Sequence, residues 1–331
     1  MNYSFKYNYL IIGDGGYYLF GYRDLMNLPN TRYFIDYYTG FDSIWSRYIV
    51  RLNFSRVVNR FVKNPFKRVV YPRLYPHSFN DNKPICYLFF GCRPYIYNSS
   101  YIEYIKQQDS RNKCVLYMQD LVARNNYLNI EEIRDKMDLL LSYDKGDCEK
   151  YGMHFYSTPM SRIPNLIIKD KQEKSDFYFC GKAKGRYKIV HQLFNELTVH
   201  GYRCDFNILE IPSNAEHISG INYLSKPLDY EENLQHVAKT KCVVEIMQEG
   251  ADGFTPRLWE SVLYDKHLLS NNMVLKDSHY YKSGYIHLLE ECFVDHDYSW
   301  ITSTAKYSDE IKESLSPINL LKFIDSHLTY N

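Results

Sequence analysis

The sequence predicts an α/β protein made of two doubly wound halves. Short apolar runs of strand length alternate with amphipathic segments of helical period along most of the chain. The 331 residues suit two domains of about 150 residues each. A Ser-, Pro- and charge-rich stretch at 157–175 separates one alternating series from the next.

Composition narrows the class further. Hydrophobic residues make up 45% and charged residues 24%, the balance of a globular chain rather than a disordered one. Lys and Arg total 40 against 39 Asp and Glu, so the net charge of +1 argues against nucleic acid as a partner, and any basic surface must be local. The eight Cys form no C-x-x-C pair and no zinc spacing, which points to reduced thiols in a cytoplasmic protein. No apolar run reaches the roughly 18 to 20 residues of a membrane span, and the N-terminal run breaks at Gly13. Tyrosine, at 34 residues, is in excess. Its flat apolar body and polar tip serve wet interfaces as well as cores, although biased base composition yields the same excess.

In chain order, residues 7–12 read as a buried strand ending at the loop Gly13-Asp14-Gly15-Gly16. Further strands are expected at 85–90 and 114–118. After the separator, Ser157, Thr158, Pro159, Ser161, Pro164 and the run KDKQEKSD, strands are expected at 176–180, 204–209 and 242–246. Helices fit 186–200, 230–239 and 256–264. Ser316-Pro317 is an N-cap and first-turn pair for a last helix ending near His327. The expected domains are 1–165 and 175–331, with the last helix free to return to the first. In doubly wound sheets ligands bind at the carboxyl ends of strands, so a cleft between two such halves is the place to seek chemistry.

Two segments there carry candidate binding groups. In Phe179–Arg186, FCGKAKGR, a strand runs into a helix. Gly181 and Gly185 admit close backbone approach, while Lys182, Lys184 and Arg186 offer cations to a diphosphate at the helix N-terminus. An ordinary strand-to-helix turn with solvated lysines is the competing interpretation. In Val243–Asn272 a buried strand ends at Glu245, a Gly-rich loop follows, and Thr255 caps a helix opening with Pro256. Arg257 and Glu260 lie three apart on one face, suited to phosphate oxygens and ribose hydroxyls, or to a plain surface ion pair.

Together these pieces resemble a known family. Phe179-x-Gly181-x-x-x-x-Arg186, then Glu245 and Gly253-Phe254-Thr255-Pro256-Arg257-x-x-Glu260, ending in Lys266 and Asn271-Asn272, is similar to the donor half of bacterial GT-B glycosyltransferases. Those enzymes build lipopolysaccharide, capsule or exopolysaccharide. Ser142–Phe155 likewise resembles the end of their N-terminal domain, so the likeness covers roughly residues 115 to 272.

The resemblance implies two Rossmann-like domains facing a cleft, with the acceptor on the first and the nucleotide sugar on the second. It implies sugar transfer without a bound metal or cofactor, a UDP-sugar being the favoured donor. Gly181, Lys182 and Arg186 then lie near the diphosphate, Thr255 and Arg257 touch phosphate, and Glu260 binds ribose or sugar, with Glu245 in the same donor set. Asp252 stands where many retaining members carry Glu, which leaves retention or inversion open. The other readings are a nucleotide-sugar-binding scaffold without turnover and a nucleotide-sugar epimerase.

An inverting transfer needs a base within reach of the acceptor hydroxyl. Asp120, after the strand at 114–118 and four residues before Arg124, is preferred. Asp14, in the loop with Gly13, Gly15 and Gly16, is the rival, and either acid can instead cap its own turn. His77 and His154 are read as structural. Asp295-His296-Asp297 spells a D-x-D, the device of metal-dependent transferases, but two carboxylates alone do not complete a cation's shell.

One basic stretch is left over. Between Asp42 and Asp81 there is no acid, while Arg47, Arg51, Arg56, Arg60, Lys63, Lys67, Arg68 and Arg73 fall within it, interleaved with Trp45, Tyr48, Phe54, Phe61 and Phe66. The spacings 47/51, 56/60 and 63/67 put each pair on one helix face. Such a segment is expected to contact an anionic membrane surface, each cation contributing about 1 kcal/mol, which suits an acceptor carried on lipid. A solvated helix face is the alternative.

Overall fold

The computed structural model describes residues 3–62, 66–91, 94–97, 100–125, 129–162, 173–183, 185–212, 215–248, 253–289 and 296–329, leaving aside the side chains of Arg56, Pro94 and Tyr95. The chain divides into two compact units, residues 1–161 with 316–331, and residues 162–315.

Unit 1 is built on six parallel strands: β1 (Asn8–Ile12), β2 (Thr31–Phe34), β3 (Ile85–Phe90), β4 (Lys113–Met118), β5 (Leu139–Ser142) and β6 (His154–Phe155), in the order β2-β1-β3-β4-β5-β6. The connections hold α1 (Tyr17–Gly21), α2 (Arg23–Met26), α3 (Ile44–Asn53), α4 (Arg56–Phe61), α5 (Lys67–Val70), α6 (Pro94–Tyr97), α7 (Tyr101–Gln108), α8 (Ile130–Ile133) and α9 (Lys145–Tyr151). Alternate strand residues feed two cores, because side chains leave a strand on opposite faces. Leu10, Ile12, Phe89 and Leu116 join one core, and Tyr9, Ile11, Leu88 and Val115 the other. Covering both faces is what a parallel sheet requires, hence the continuous apolar runs.

Unit 2 repeats the plan with β7 (Ser175–Lys182), β8 (Cys204–Leu209), β9 (Ile221–Leu224), β10 (Thr240–Glu245), β11 (His267–Ser270) and β12 (Ile286–Leu288), ordered β12-β11-β10-β7-β8-β9 and parallel throughout. Its helices are α10 (Tyr187–Val199), α11 (Tyr230–Ala238), α12 (Pro256–Leu263) and α13 (Asp309–Ser314). Val190, Leu193, Phe194 and Leu197 of α10 pack on Phe177, Phe179 and Phe206. Helices α11 and α12 lie against β10 and each other.

The last helix, α14 (Pro317–His327), is capped by Ser316 and belongs to unit 1, so the second unit ends at Leu315 rather than at the chain terminus. Leu320, Leu321 and Ile324 complete the core containing Tyr9 and Leu88. Asp325 accepts from the Lys6 backbone N–H at 2.7 Å and from the Tyr9 hydroxyl at 2.6 Å.

Much of the tyrosine excess is core. Tyr7, Tyr9, Tyr22, Tyr75, Tyr97, Tyr117 and Tyr178 are fully buried. Six of these hydroxyls donate to protein acceptors, such as Gln119 Oε1 for Tyr22 at 2.7 Å and the Gly91 carbonyl for Tyr97 at 3.0 Å, which offsets the cost of burying a phenol. Cys86, Cys114, Cys148, Cys180, Cys204 and Cys242 are free thiols. Among the described residues, no helix is long and apolar enough to cross a membrane.

Candidate functional site

In unit 2 the strand order reverses at β7: β8 is added on one side and β10 on the other. Ligands of doubly wound sheets bind at such a switch point, beyond the carboxyl ends. Gly181 and Lys182 end β7, Arg186 follows it, and Glu245 closes β10, so the two segments singled out by sequence meet at the carboxyl edge of one sheet.

Gly181 is where two guanidinium groups converge. A Cβ placed on it would lie 2.8 Å from Arg186 Nη2 and 3.3 Å from Arg257 Nη2. Arg257 Nη2 donates to the Cys180 carbonyl at 2.6 Å. Arg186 Nε donates to the Lys182 carbonyl at 3.1 Å, its Nη1 to the Ile246 carbonyl, and its guanidinium lies 5.7 Å from the centre of the Phe179 ring. Backbone carbonyls fix both forks without cancelling their charge, and among the described residues neither Arg pairs with a carboxylate. Burial, then the neighbouring Arg257, lowers the Arg186 pKa to about 10. Two half-buried like charges held this close are suited in chemistry to an anion.

Glu245 and Thr255 stand behind this pair. Glu245 is buried and accepts from the hydroxyls of Thr255 and Ser270, and burial raises its pKa. Thr255 caps α12, its hydroxyl also accepting from the Arg257 backbone N–H at 3.2 Å. Asn271 Oδ1 accepts from the Met247 N–H at 2.7 Å and Asn272 Nδ2 donates to the Gly253 carbonyl at 3.1 Å, tying down both described ends of the loop between β10 and α12. Lys182 pairs with Glu210, which follows β8, so its charge is shared before any ligand arrives.

Arg257 and Glu260 form no surface ion pair. Glu260 is 4% exposed and turned toward α11, where Asn233 Nδ2 donates to its Oε1 at 3.0 Å. Asn233 Oδ1 accepts from the Tyr178 hydroxyl at 2.9 Å. The Tyr178 ring stacks on His236 at 5.2 Å, and His236 Nδ1 bonds Asp205 Oδ2 at 2.5 Å. Burial raises the Glu260 pKa to about 7, against the lowering effect of Arg257. Sequence reasoning missed Asn233, Tyr178 and Ser270. Asn233 sits 27 residues before Glu260 beside two ordinary helical acids, and no local pattern marks it.

In unit 1 the corresponding switch falls between β1 and β3. Gly13 follows β1, and a Cβ there would strike the Tyr33 hydroxyl. Gly15 and Gly16 face open space. Asp14 Oδ1 accepts from the Gly15 N–H at 2.8 Å, while its carbonyl accepts from the Tyr33 hydroxyl at 3.0 Å. Asp120, beyond β4, is exposed, accepts from the Leu121 N–H at 2.9 Å and lies 3.5 Å from Arg124. The two acids end strands of one sheet, with β3 between them.

Outside these edges, His154 stacks edge-on against His327, and His77 Nδ1 lies 2.7 Å from the Tyr75 carbonyl. Asp297 accepts from the Ser299 N–H and hydroxyl at 2.8 and 3.0 Å, a local turn. Lys184, Asp252 and Asp295 lie outside the described residues. Of the basic stretch, Arg47 and Arg51 share α3, Arg56 and Arg60 share α4, and Lys67 opens α5; Lys63 lies outside the described residues.

No family model and no curated protein sequence matches the chain. Solved structures do. An α-glucosyltransferase in complex with UDP and a 13-mer DNA containing a HMU base is 10% identical over 97% of this chain and 95% of that one, with a TM-score of 0.50. The glycosyltransferase of kitacinnamycin is 7% identical over 98% and 100%, TM-score 0.48. The UDP-GlcNAc 2-epimerase of Methanocaldococcus jannaschii is 11% identical over 72% and 75%, TM-score 0.39. At these identities the first of them shows the fold: two Rossmann-like domains of the GT-B architecture.

Proposed function

We propose that the protein is a glycosyltransferase of the hexosyltransferase type, moving a sugar from a nucleotide-sugar donor to a glycan acceptor. Unit 2 binds the donor, with UDP the favoured nucleotide. The convergence of Arg186 and Arg257 on Gly181, at the switch point of the sheet, carries this reading. Nucleotide-sugar transfer breaks the bond between the anomeric carbon and the phosphate oxygen, leaving the electron pair and negative charge on the diphosphate. Two cations already oriented by the backbone stabilise that charge without reorganising, which supports a metal-independent reaction.

Unit 1 holds the acceptor and supplies the base. Asp120 is preferred to Asp14 because its carboxylate is exposed beyond the strand end. In an inverting transfer that carboxylate takes the proton from the acceptor hydroxyl as its oxygen bonds to the anomeric carbon. Glu260 serves the ribose or sugar hydroxyls, with Asn233 and Tyr230 fixing its orientation.

The acceptor is a lipid-linked oligosaccharide of bacterial surface polysaccharide synthesis, such as lipopolysaccharide or capsule, and the protein works in the cytoplasm, peripheral to the inner face of the membrane. Exposed apolar and basic side chains on α3 to α5 support the lipid part of this reading.

Thermal shift with UDP, GDP, CMP, ADP and dTDP, with and without EDTA, tests the donor site, because a ligand of the native state raises its melting temperature. A shift with UDP that survives EDTA is expected. No shift with any nucleotide overturns the reading, and a shift lost in EDTA overturns metal independence.

A further inference from the structure

The α3 to α5 segment of unit 1 buries little of its apolar surface. Ile44 is 80% exposed, Trp45 76%, Val57 73% and Phe61 81%. Soluble surfaces tolerate single exposed rings, but four large apolar groups exposed on two consecutive helices call for a partner.

Cations share the same faces. On α3, Ile44, Arg47, Tyr48 and Arg51 follow the i, i+3, i+4, i+7 spacing of one exposed side, while Val50 and Asn53 turn inward. On α4, Val57, Arg60 and Phe61 repeat the arrangement, and α5 adds Lys67, Arg68 and Val69.

The segment has a defined conformation. Ser43 and Ser55 cap α3 and α4, Asn59 Nδ2 donates to the Asn53 carbonyl at 2.6 Å, and Asn53 Oδ1 accepts from the Phe66 N–H at 3.2 Å. The outward rings are therefore presented by fixed helices.

Beside this face lies a cavity of about 330 Å³ between α5 and α7. Lys67 and Arg68 supply its cations, Ser100 and Gln107 its neutral polar groups, and Tyr71 and Tyr104 its walls. The one acid among its lining residues, Glu103, pairs with Lys136 at 3.3 Å, which offsets part of its charge. A phosphate with a short polyol fits this chemistry: cations for the anion, hydroxyl and amide groups for the polyol.

We propose that the α3–α5 face docks on an anionic lipid bilayer, Trp45 and Phe61 entering the acyl boundary while Lys67 and Arg68 take a phosphodiester headgroup in the cavity between α5 and α7. This rests on the membrane part of the proposed function, and adds which side chains enter the lipid and where a headgroup sits. Exposed aliphatic groups such as Ile44 and Val57 favour lipid over nucleic acid, whose bases stack on rings but offer nothing to branched alkyl chains.

The full chain is sedimented with phosphatidylcholine vesicles with and without phosphatidylglycerol. Binding is expected only to the anionic vesicles, weakened by salt, with a blue shift of Trp45 fluorescence absent in W45F. W45A/F61A should bind at least tenfold more weakly. Removing two cations costs about 30-fold by charge alone, so R51A/R60A measures that loss and K67A/R68A should exceed it.

Equal losses in the two double variants overturn the headgroup cavity and leave membrane docking standing. No binding to anionic vesicles overturns the docking itself, and a UDP thermal shift in the same preparation shows that the donor site is intact. Binding of a DNA duplex that K67A/R68A abolishes, without vesicle binding, makes this a nucleic-acid face and overturns the proposal.

Discussion

Asn233 Nδ2 donates to Glu260 Oε1 at 3.0 Å, and this bond together with one from the Tyr230 side chain, rather than a pair with Arg257, sets the direction of the Glu260 carboxyl. Because Tyr178 donates to the same amide's oxygen, the amide cannot turn over without losing both bonds.

That environment gives Glu260 a pH signature. Its pKa lies at about 7 in the folded protein against 4.5 ordinarily, so the native state holds the proton more tightly than the unfolded chain. The stabilisation is fully present below pH 4.5 and is lost as pH rises through 7. Glu260→Gln should remove this dependence, gaining stability relative to the parent by on the order of 3 kcal/mol between pH 4.5 and 8. Urea denaturation of both proteins at the two pH values checks this, the difference cancelling the opposing titration of buried histidines such as His287. The same variant should bind UDP-sugar more weakly at pH 8.

Gly181→Ala should separate binding from folding. The added methyl meets the far ends of two flexible side chains, so the melting temperature should change by only a few degrees. Displacing the Arg186 and Arg257 forks should weaken UDP about tenfold or more, read by calorimetry.

Arg257→Ala should also weaken UDP, by roughly 10- to 100-fold, through loss of one charged fork. Arg257→Lys should recover little of it, since an ammonium cannot hold the Cys180 carbonyl and a phosphate oxygen in one planar geometry. Recovery by Lys in a calorimetric titration would show that charge alone suffices.

The two candidate bases are separable. Asp120→Asn should lower turnover by about 10²- to 10⁴-fold with UDP affinity unchanged, whereas Asp14→Asn should leave most activity. The opposite order in a transfer assay would move the base to the loop after β1.

Asp325→Ala tests the last helix. It removes the Asp325 carboxylate that accepts from the Lys6 N–H and one of the Tyr9 hydroxyl's two acceptors, the Leu321 carbonyl at 3.1 Å being the other. A loss of about 1 to 3 kcal/mol in denaturant unfolding is expected.

Legibility of the fold followed strand length. Strands β1, β3, β4, β7, β8 and β10 run for five to eight residues, long enough for an apolar run to stand out from its flanks. Strands β2, β5, β6, β9, β11 and β12 have two to four residues, too short a run to see even where every residue is buried, as in β5 and β11.

By itself the sequence determined the alternating order of strands and helices, the caps at Thr255 and Ser316, the acid-free basic stretch, and the two segments that hold the candidate binding groups. These are local properties, written in period and neighbouring residue type. Only the tertiary structure decided that Arg186 and Arg257 meet at Gly181, that Lys182 is held by Glu210, and that Glu260 faces Asn233. Each joins residues from different strands and helices. A side chain's partner depends on which neighbour the sheet order brings beside it, and spacing along the chain does not encode that order.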